Sequence, residues 1–384
     1  MGLRVRVSIA FVAIATMVLA VAGTTVPASA AGAGDVISAQ SVSLYYDPTK
    51  LVKVPAKVWK ILYRSTSARG TAVQVSGTVL VPNGSYSGTR PIVGYAMGTH
   101  GLGDQCAPSA LMQQGKDQEI ALISLLLAKG WAVAVTDYEG LGTPGLHTYM
   151  AGISQGQAVL DSIRAATRVP GSGLSASAKV GVIGYSQGGA SAGWAAQLQP
   201  SYAPELQLRG VAAGGVPADL QRVAANLDGT SNFGLSAAAG IGLNAAYPEL
   251  SLDAYLTAEG RTLFTDVSDD CGGAINSKLS GRRLSQLTTT DVMNLPAWQA
   301  RLAETRLGSR TPGVPVYLYH GDNDEVIPLA VGQTLRRDWC NRGAKVLWTP
   351  LPAPNHVAGA VEGAPLAITW LHTRFNNLPV LSNC

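Results

Sequence analysis

The sequence predicts an α/β fold: a mostly parallel sheet covered by helices on both faces. Three observations predict it. Short apolar runs alternate with stretches whose apolar residues recur at helical spacing. Charged residues make up only 14% of the chain while glycine occurs 44 times, which suits a folded protein rich in tight turns. The alternation breaks once, between about Pro217 and Leu307, and then resumes.

Residues 31 to about 50 read as an irregular arm. Val58–Thr66 and Thr71–Val81 alternate partly and carry β-branched residues, so they predict two antiparallel strands. Pro91–Ala96 is a short buried-strand run. Asp117–Lys129 has helical spacing and ends at Gly130, a C-cap signal. Trp131–Thr136 is the next strand, and Ser154–Arg168 a helix with Ala158, Val159, Ser162, Ile163 and Ala166 on one face. Lys179–Tyr185 predicts a strand, Gly189–Leu198 a helix, and Val211–Gly214 a sixth strand. Pro217 to about Leu307 shows no buried strand and reads as a helical insertion. Strands return at Val314–Tyr319 and Lys345–Pro350, with helices at about Leu329–Asn341 and Ala358–Phe375. At 384 residues the chain fits one large domain carrying an inserted subdomain.

The first 30 residues stand apart from this pattern. Arg4 and Arg6 precede an apolar run from Val7 to about Gly23, and Ala28-Ser29-Ala30 reads as a small-residue cleavage site. This is the pattern of a secretory signal peptide over residues 1–30, so the mature chain is expected to be secreted. The apolar run is short for a membrane span. The first cysteine is Cys106, which excludes a lipid anchor through an N-terminal cysteine. Without Arg4 and Arg6, 26 basic residues face 24 acidic ones, and no Lys/Arg run stands out, so nucleic acid is excluded as a partner. Cys106, Cys271, Cys340 and Cys384 form an even set in an exported chain, which suggests two disulfides. The count alone leaves three pairings open. No CxxC spacing, zinc pattern or phosphate-binding Gly-rich loop occurs, so no metal or cofactor is implied.

Gly-x-Ser-x-Gly occurs twice, around Ser154 and around Ser186. The motif carries chemistry only on a sharp strand-to-helix turn, where the serine projects above the sheet. Val180–Tyr185 precedes Ser186 and a small-residue helix follows, so Ser186 is the expected nucleophile. Ser154 has no strand before it and is expected to be structural, as a helix N-cap. A serine hydroxyl needs an adjacent base. Of the five histidines, His100 and His147 precede the nucleophile, against the usual Ser–acid–His order. His320 sits at a strand end, too close to the expected acid, and His372 falls inside the last helix. His356, in Pro354-Asn355-His356 after the last strand, is the expected base. Among Asp322, Asp324 and Glu325, the pattern His-Gly-x-x-Asp before an apolar residue and proline selects Asp324 as the orienting acid. Two backbone N–H groups should face the oxyanion. Gln187, after the nucleophile, supplies one. The other is expected from Met97-Gly98-Thr99-His100-Gly101, at Thr99, with His100 as the second choice.

Ser186 in Gly-Tyr-Ser-Gln-Gly, Asp324 and His356 resemble the secretory lipase family, which includes Candida lipase A-type enzymes and exported actinobacterial proteins. Cys106-Ala-Pro-Ser109, Asp137-Tyr-Glu-Gly-Leu-Gly142 and Gln157-Ala-Val-Leu-Asp161 also match, and the resemblance spans nearly all of the mature chain. It implies an α/β-hydrolase fold, a helical cap after the sixth strand at about 217–307, and triacylglycerol or related ester substrates. It further implies the pairs Cys106–Cys271 and Cys340–Cys384. The fungal members carry an acidic residue in the oxyanion loop, where this chain reads Gly98-Thr-His-Gly-Leu-Gly103.

A secreted lipase or carboxylesterase is therefore the leading expectation. The alternatives are a peptidase or acyltransferase on the same fold, or a non-catalytic lipid-binding homologue. The stretch Ala237, Ala238, Ala239, Ile241, Leu243, Ala245 and Ala246 is almost uncharged, so Ile241 and Leu243 are expected to line an acyl pocket. The partners expected are an ester or lipid substrate and transient contact with a lipid surface, with the chain itself a monomer.

Overall fold

Two long strands, β2 (Ala56–Thr66) and β3 (Ala72–Pro82), pair antiparallel over their full length in the computed structural model. The structure describes residues 1–2 and 32–384, so the signal-peptide segment falls, but for Met1 and Gly2, outside the described residues. Residues 31–384 form one compact unit. The arm expected at 31–50 contains an edge strand, β1 (Val36–Val42), paired antiparallel with β2. Its sequence, VISAQSV, buries neither face, so it lacks the apolar alternation that would have marked it.

The parallel part of the sheet follows as β4 (Ile92–Ala96), β5 (Ala132–Thr136), β6 (Lys179–Tyr185), β7 (Gln207–Gly214), β8 (Val316–Gly321) and β9 (Val346–Leu351). The nine strands stand in the order β1-β2-β3-β5-β4-β6-β7-β8-β9, and every pair from β5 to β9 is parallel. β4, β5 and β8 are buried throughout, as expected of strands covered on both faces. The covering helices are α1 (Pro108–Gln114), α2 (Ile120–Ala128), α3 (Gly152–Arg168) and α4 (Gln187–Tyr202), with further helices after β7.

Between β7 and β8 the chain forms only helices: α5 (Leu220–Leu227), α6 (Phe233–Ala246), α7 (Ala258–Val267), α8 (Gly272–Leu279), α9 (Leu284–Leu287) and α10 (Pro296–Thr305), joined by short 3-10 turns. With β1 counted, this insertion follows the seventh strand. The remaining helices are α11 (Leu329–Asn341) and α12 (His356–Phe375), which closes the fold. Cys106 is bonded to Cys271, and Cys340 to Cys384. The first bond joins the segment after β4 to the start of α8, and the second ties the C-terminal residue to α11.

Candidate active site

β6 ends at Tyr185 and α4 begins at Gln187, so Ser186 alone makes the turn, with φ 60° and ψ −124°. A side chain there costs on the order of 1–3 kcal/mol of strain, which the surroundings must hold in place. The Ser186 N–H donates to the Gly214 carbonyl at 3.0 Å. The flanking glycines are required by close approach. A Cβ on Gly184 would lie 2.2 Å from the Gly188 carbonyl oxygen, and one on Gly188 would lie 2.2 Å from the Ala96 carbonyl oxygen. The turn therefore packs directly against the end of β4 and the loop that follows it.

Ser154 lies differently. It is the third residue of α3, not its N-cap; Ala151 holds that position without a side-chain bond. The Ser154 hydroxyl is buried and donates to Glu139. A Cβ on Gly152 or Gly156 would clash with Trp194 of α4, so that glycine pair is explained by helix packing.

His356 opens α12, one residue after Asn355, whose side chain caps the helix through the Ala358 N–H. Its Nδ1 is 2.7 Å from Asp324 Oδ2. Asp324 Oδ1 accepts the N–H groups of Val326 and Ile327 at 3.0 and 2.7 Å, which fixes the carboxylate. The His356 N–H donates to Glu325 Oε2 at 2.8 Å, its carbonyl accepts the Tyr185 hydroxyl at 2.8 Å, and its ring packs 5.0 Å from that of Tyr185. With Nδ1 turned to a carboxylate, the proton resides there and Nε2 is the basic nitrogen. Glu325 thus holds the histidine backbone, a role its position beside Asp324 did not reveal.

His320 is buried beneath this pair. Its Nε2 lies 2.8 Å from the Ile327 carbonyl oxygen and 3.4 Å from Asp324 Oδ2, and burial lowers its pKa. His147 is buried too, with Nδ1 2.8 Å from the Glu139 carbonyl oxygen, and burial pushes its pKa down to about 4. His372 is exposed on α12 and stacks on Trp131.

Gln187 is the first residue of α4, so its N–H has no partner within the helix. In the facing loop, the Tyr138 hydroxyl donates to the Met97 carbonyl at 2.8 Å and the Gly98 N–H donates to Glu119 Oε1 at 2.8 Å. Thr99 Oγ1 is 2.8 Å from the hydroxyl of Tyr149. The loop continues into the helical insertion: Leu102 N–H donates to the Asp270 carbonyl and Gly272 N–H to the His100 carbonyl, at 2.8 and 2.9 Å. Asp117, Glu119 and Tyr149 were not among the residues expected here, because only the tertiary fold brings them to the loop.

Above Ser186 and Gln187 lies an apolar cavity that is partly open to solvent. Its wall comes mainly from the helical insertion, including Leu220, Ala237, Gly240, Leu243 and Phe264, and is completed by Val326 and Ile327 beside Asp324. Leu243 lines it. Ile241 is buried but does not. Among the described residues, no group of three His, Cys, Asp or Glu side chains is placed to hold a metal ion.

A serine on a strained strand-to-helix turn, in a parallel sheet followed by Asp324 and His356 in that order, defines an α/β-hydrolase. The chain belongs to the Secretory lipase family, whose model matches residues 107–383. It is 31% identical to Lipase 5 of Candida albicans over 92% of this chain and 80% of that one. It is 30% identical to Secreted triacylglycerol lipase LIP7 of Malassezia globosa, over 90% and 76%, and to a Mycobacterium tuberculosis protein named Probable inactive lipase MT1628, over 90% and 79%. Among solved structures, the closed state of Candida antarctica lipase A shares its fold with a TM-score of 0.82 at 24% identity, covering 92% of this chain and 84% of that one. The rice cell wall degrading esterase LipA of Xanthomonas oryzae shares it with a TM-score of 0.74 at 20% identity, covering 91% and all of that chain. The protein is accordingly a secreted carboxylic ester hydrolase.

Proposed function

We propose that Ser186, Asp324 and His356 are the nucleophile, orienting acid and general base of this hydrolase, and that triacylglycerols or related long-chain esters are its substrates. The observation that carries the reading is the apolar cavity whose floor is Ser186 and whose walls are helices 217–307, which then act as a cap. His356 Nε2 takes the Ser186 proton as Oγ attacks the ester carbonyl. Asp324 keeps the proton on Nδ1 and stabilises the imidazolium. The Gln187 and Thr99 N–H groups receive the oxyanion. The alcohol leaves with the proton from His356, and water, deprotonated by the same nitrogen, releases the acid. Residues 1–30 are removed on export, and the mature chain works as a monomer that meets lipid surfaces transiently.

The relative named as inactive keeps a non-catalytic lipid-binding role in view. Against it, the Ser186 turn, the Asp324–His356 bond and the cavity are all present in this chain. Hydrolysis of p-nitrophenyl esters from C2 to C16 by Ser186→Ala and Ser154→Ala separates the readings. Ser186→Ala should abolish turnover with an unchanged melting curve, and Ser154→Ala should keep it. Retained turnover in Ser186→Ala would remove that serine from the nucleophile's role.

A further inference from the structure

Beside Gly98 and Thr99, His100 of the loop after β4 meets Asp117 from the segment before α2, a pair that the hydrolytic steps above do not use. Of the four polar groups on the Met97–Gly98 and Gly98–Thr99 peptides, three are bonded. The Met97 carbonyl accepts from Tyr138, the Gly98 N–H donates to Glu119, and the Gly98 carbonyl lies 2.9 Å from His100 Nδ1. The fourth, the Thr99 N–H, has no acceptor among the described residues. In a trans peptide the carbonyl and the N–H point in opposite directions. Fixing the Gly98 carbonyl on one side therefore fixes the Thr99 N–H on the other. The same loop starts at Ala96 and Met97, against which Gly188 of the nucleophile turn is packed.

His100 is itself held between two acceptors. Nδ1 faces the Gly98 carbonyl, and Nε2 lies 3.1 Å from Asp117 Oδ2, whose carboxylate is fully buried. Asp117 Oδ1 in turn accepts the Glu119 N–H at 2.8 Å. A neutral imidazole could satisfy only one of two acceptors, whereas the imidazolium donates to both.

We propose that His100 is a positioning residue: as an imidazolium anchored by Asp117, it clamps the Gly98 carbonyl so that the Thr99 N–H is aimed at the oxyanion. This rests on the reading of Thr99 as the second oxyanion donor. It gives the His100 side chain a role of its own, with Nδ1 on the Gly98 carbonyl and Nε2 on Asp117. The cation also places positive charge near the oxyanion site.

The ionisable groups around His100 come from several elements. Asp117 and Glu119 stand just before α2, and His147 lies in the loop after β5. The insertion offers backbone 270–272, with the Asp270 side chain turned to Lys278. Burial opposes the charge on His100, but the bond and charge of Asp117 and the charge of Glu119 outweigh it and raise the pKa to about 9. The clamp is then intact below that pH and lost as pH rises through it.

The test measures kcat and KM on p-nitrophenyl butyrate across pH 6–10.5 for wild type, His100→Gln and Thr99→Pro. His100→Gln should lower kcat about ten- to a hundredfold, less than outright loss of a donor, with KM nearly unchanged. It should also remove a decline in kcat that wild type shows above about pH 9. Thr99→Pro deletes the N–H and should lose roughly 10²–10³-fold in kcat. If Thr99→Pro loses kcat while His100→Gln keeps it, the clamp is overturned and the donor reading stands. If Thr99→Pro folds and keeps kcat, the donor reading falls and the clamp with it. Should Thr99→Pro fail to fold, ¹⁵N-histidine NMR of wild type decides, with the His100 signals assigned by their loss in His100→Gln. Two imidazolium nitrogens at pH 7.5 support the clamp, and a neutral tautomer overturns it.

Discussion

The Cys106–Cys271 bond closes a loop of 165 residues between the segment after β4 and the helical insertion, whereas Cys340–Cys384 closes one of 44. In the chain-entropy account the longer loop stabilises by about 5 kcal/mol and the shorter by about 4 kcal/mol, both upper values. Unfolding the 31–384 unit carries an entropy of roughly 0.7 kcal/mol/K, taking about 2 cal/mol/K per residue. Cys106→Ala/Cys271→Ala should therefore lower Tm by about 7 °C, and Cys340→Ala/Cys384→Ala by about 5 °C. The hydrogen bonds from Leu102 to Asp270 and from Gly272 to His100 remain in the first variant, so esterase activity well below Tm should survive. Differential scanning calorimetry of the two variants, with activity at 25 °C, checks both parts. An unchanged Tm in the first variant, or a larger fall in the second, would refute the loop-closure reasoning. Lost activity at 25 °C would show that the covalent bond, and not the hydrogen bonds, holds the loop after β4.

Two further outcomes follow from the cavity and from a buried histidine. Gly240 lines the cavity and a Cβ there would meet only Leu252 Cδ2, at 3.9 Å, so Gly240→Leu adds its bulk at the cavity wall. Each acyl CH₂ it displaces forfeits about 0.8 kcal/mol, so excluding four should cut kcat/KM on C16 esters on the order of a hundredfold and leave acetate esters unchanged; parallel losses on C2 and C16 would place the acyl chain elsewhere. His147, with its pKa pushed down to about 4, stays neutral in the fold but protonates near 6.5 when unfolded. Its contribution is complete above about pH 6.5 and is lost as pH falls towards 4, by roughly 3 kcal/mol. Urea unfolding between pH 4 and 7 should be flatter for His147→Gln than for wild type, and equal slopes would contradict the assignment.

The sheet was legible where burial imposed a pattern. β4, β5 and β6 are short apolar runs because helices cover both faces, and their predicted bounds match to within a residue. β1 escaped because an exposed edge strand needs no apolar alternation. Of the two Gly-x-Ser-x-Gly segments, the one around Ser186 follows a strand, as expected, and the one around Ser154 does not. What failed was the finer reading of Ser154, since the helix starts two residues before it and Glu139 takes its hydroxyl. Helix α6 is apolar nearly all round, so nothing along the chain distinguishes Leu243, which faces the cavity, from Ile241, which does not. Chain order excludes His100 only as the base, and the partners of its loop, Asp117 and Glu119, become visible only when the loop folds over them.

The most direct measurement is covalent capture at the proposed nucleophile. The protein would be treated with a p-nitrophenyl alkylphosphonate, digested and mapped by mass spectrometry, with ester hydrolysis followed in parallel. One phosphonyl group should appear on the peptide containing Ser186, in step with loss of turnover, and none should appear in Ser186→Ala. Label on the Ser154 peptide, or full hydrolysis after Ser186 is blocked, would contradict the account.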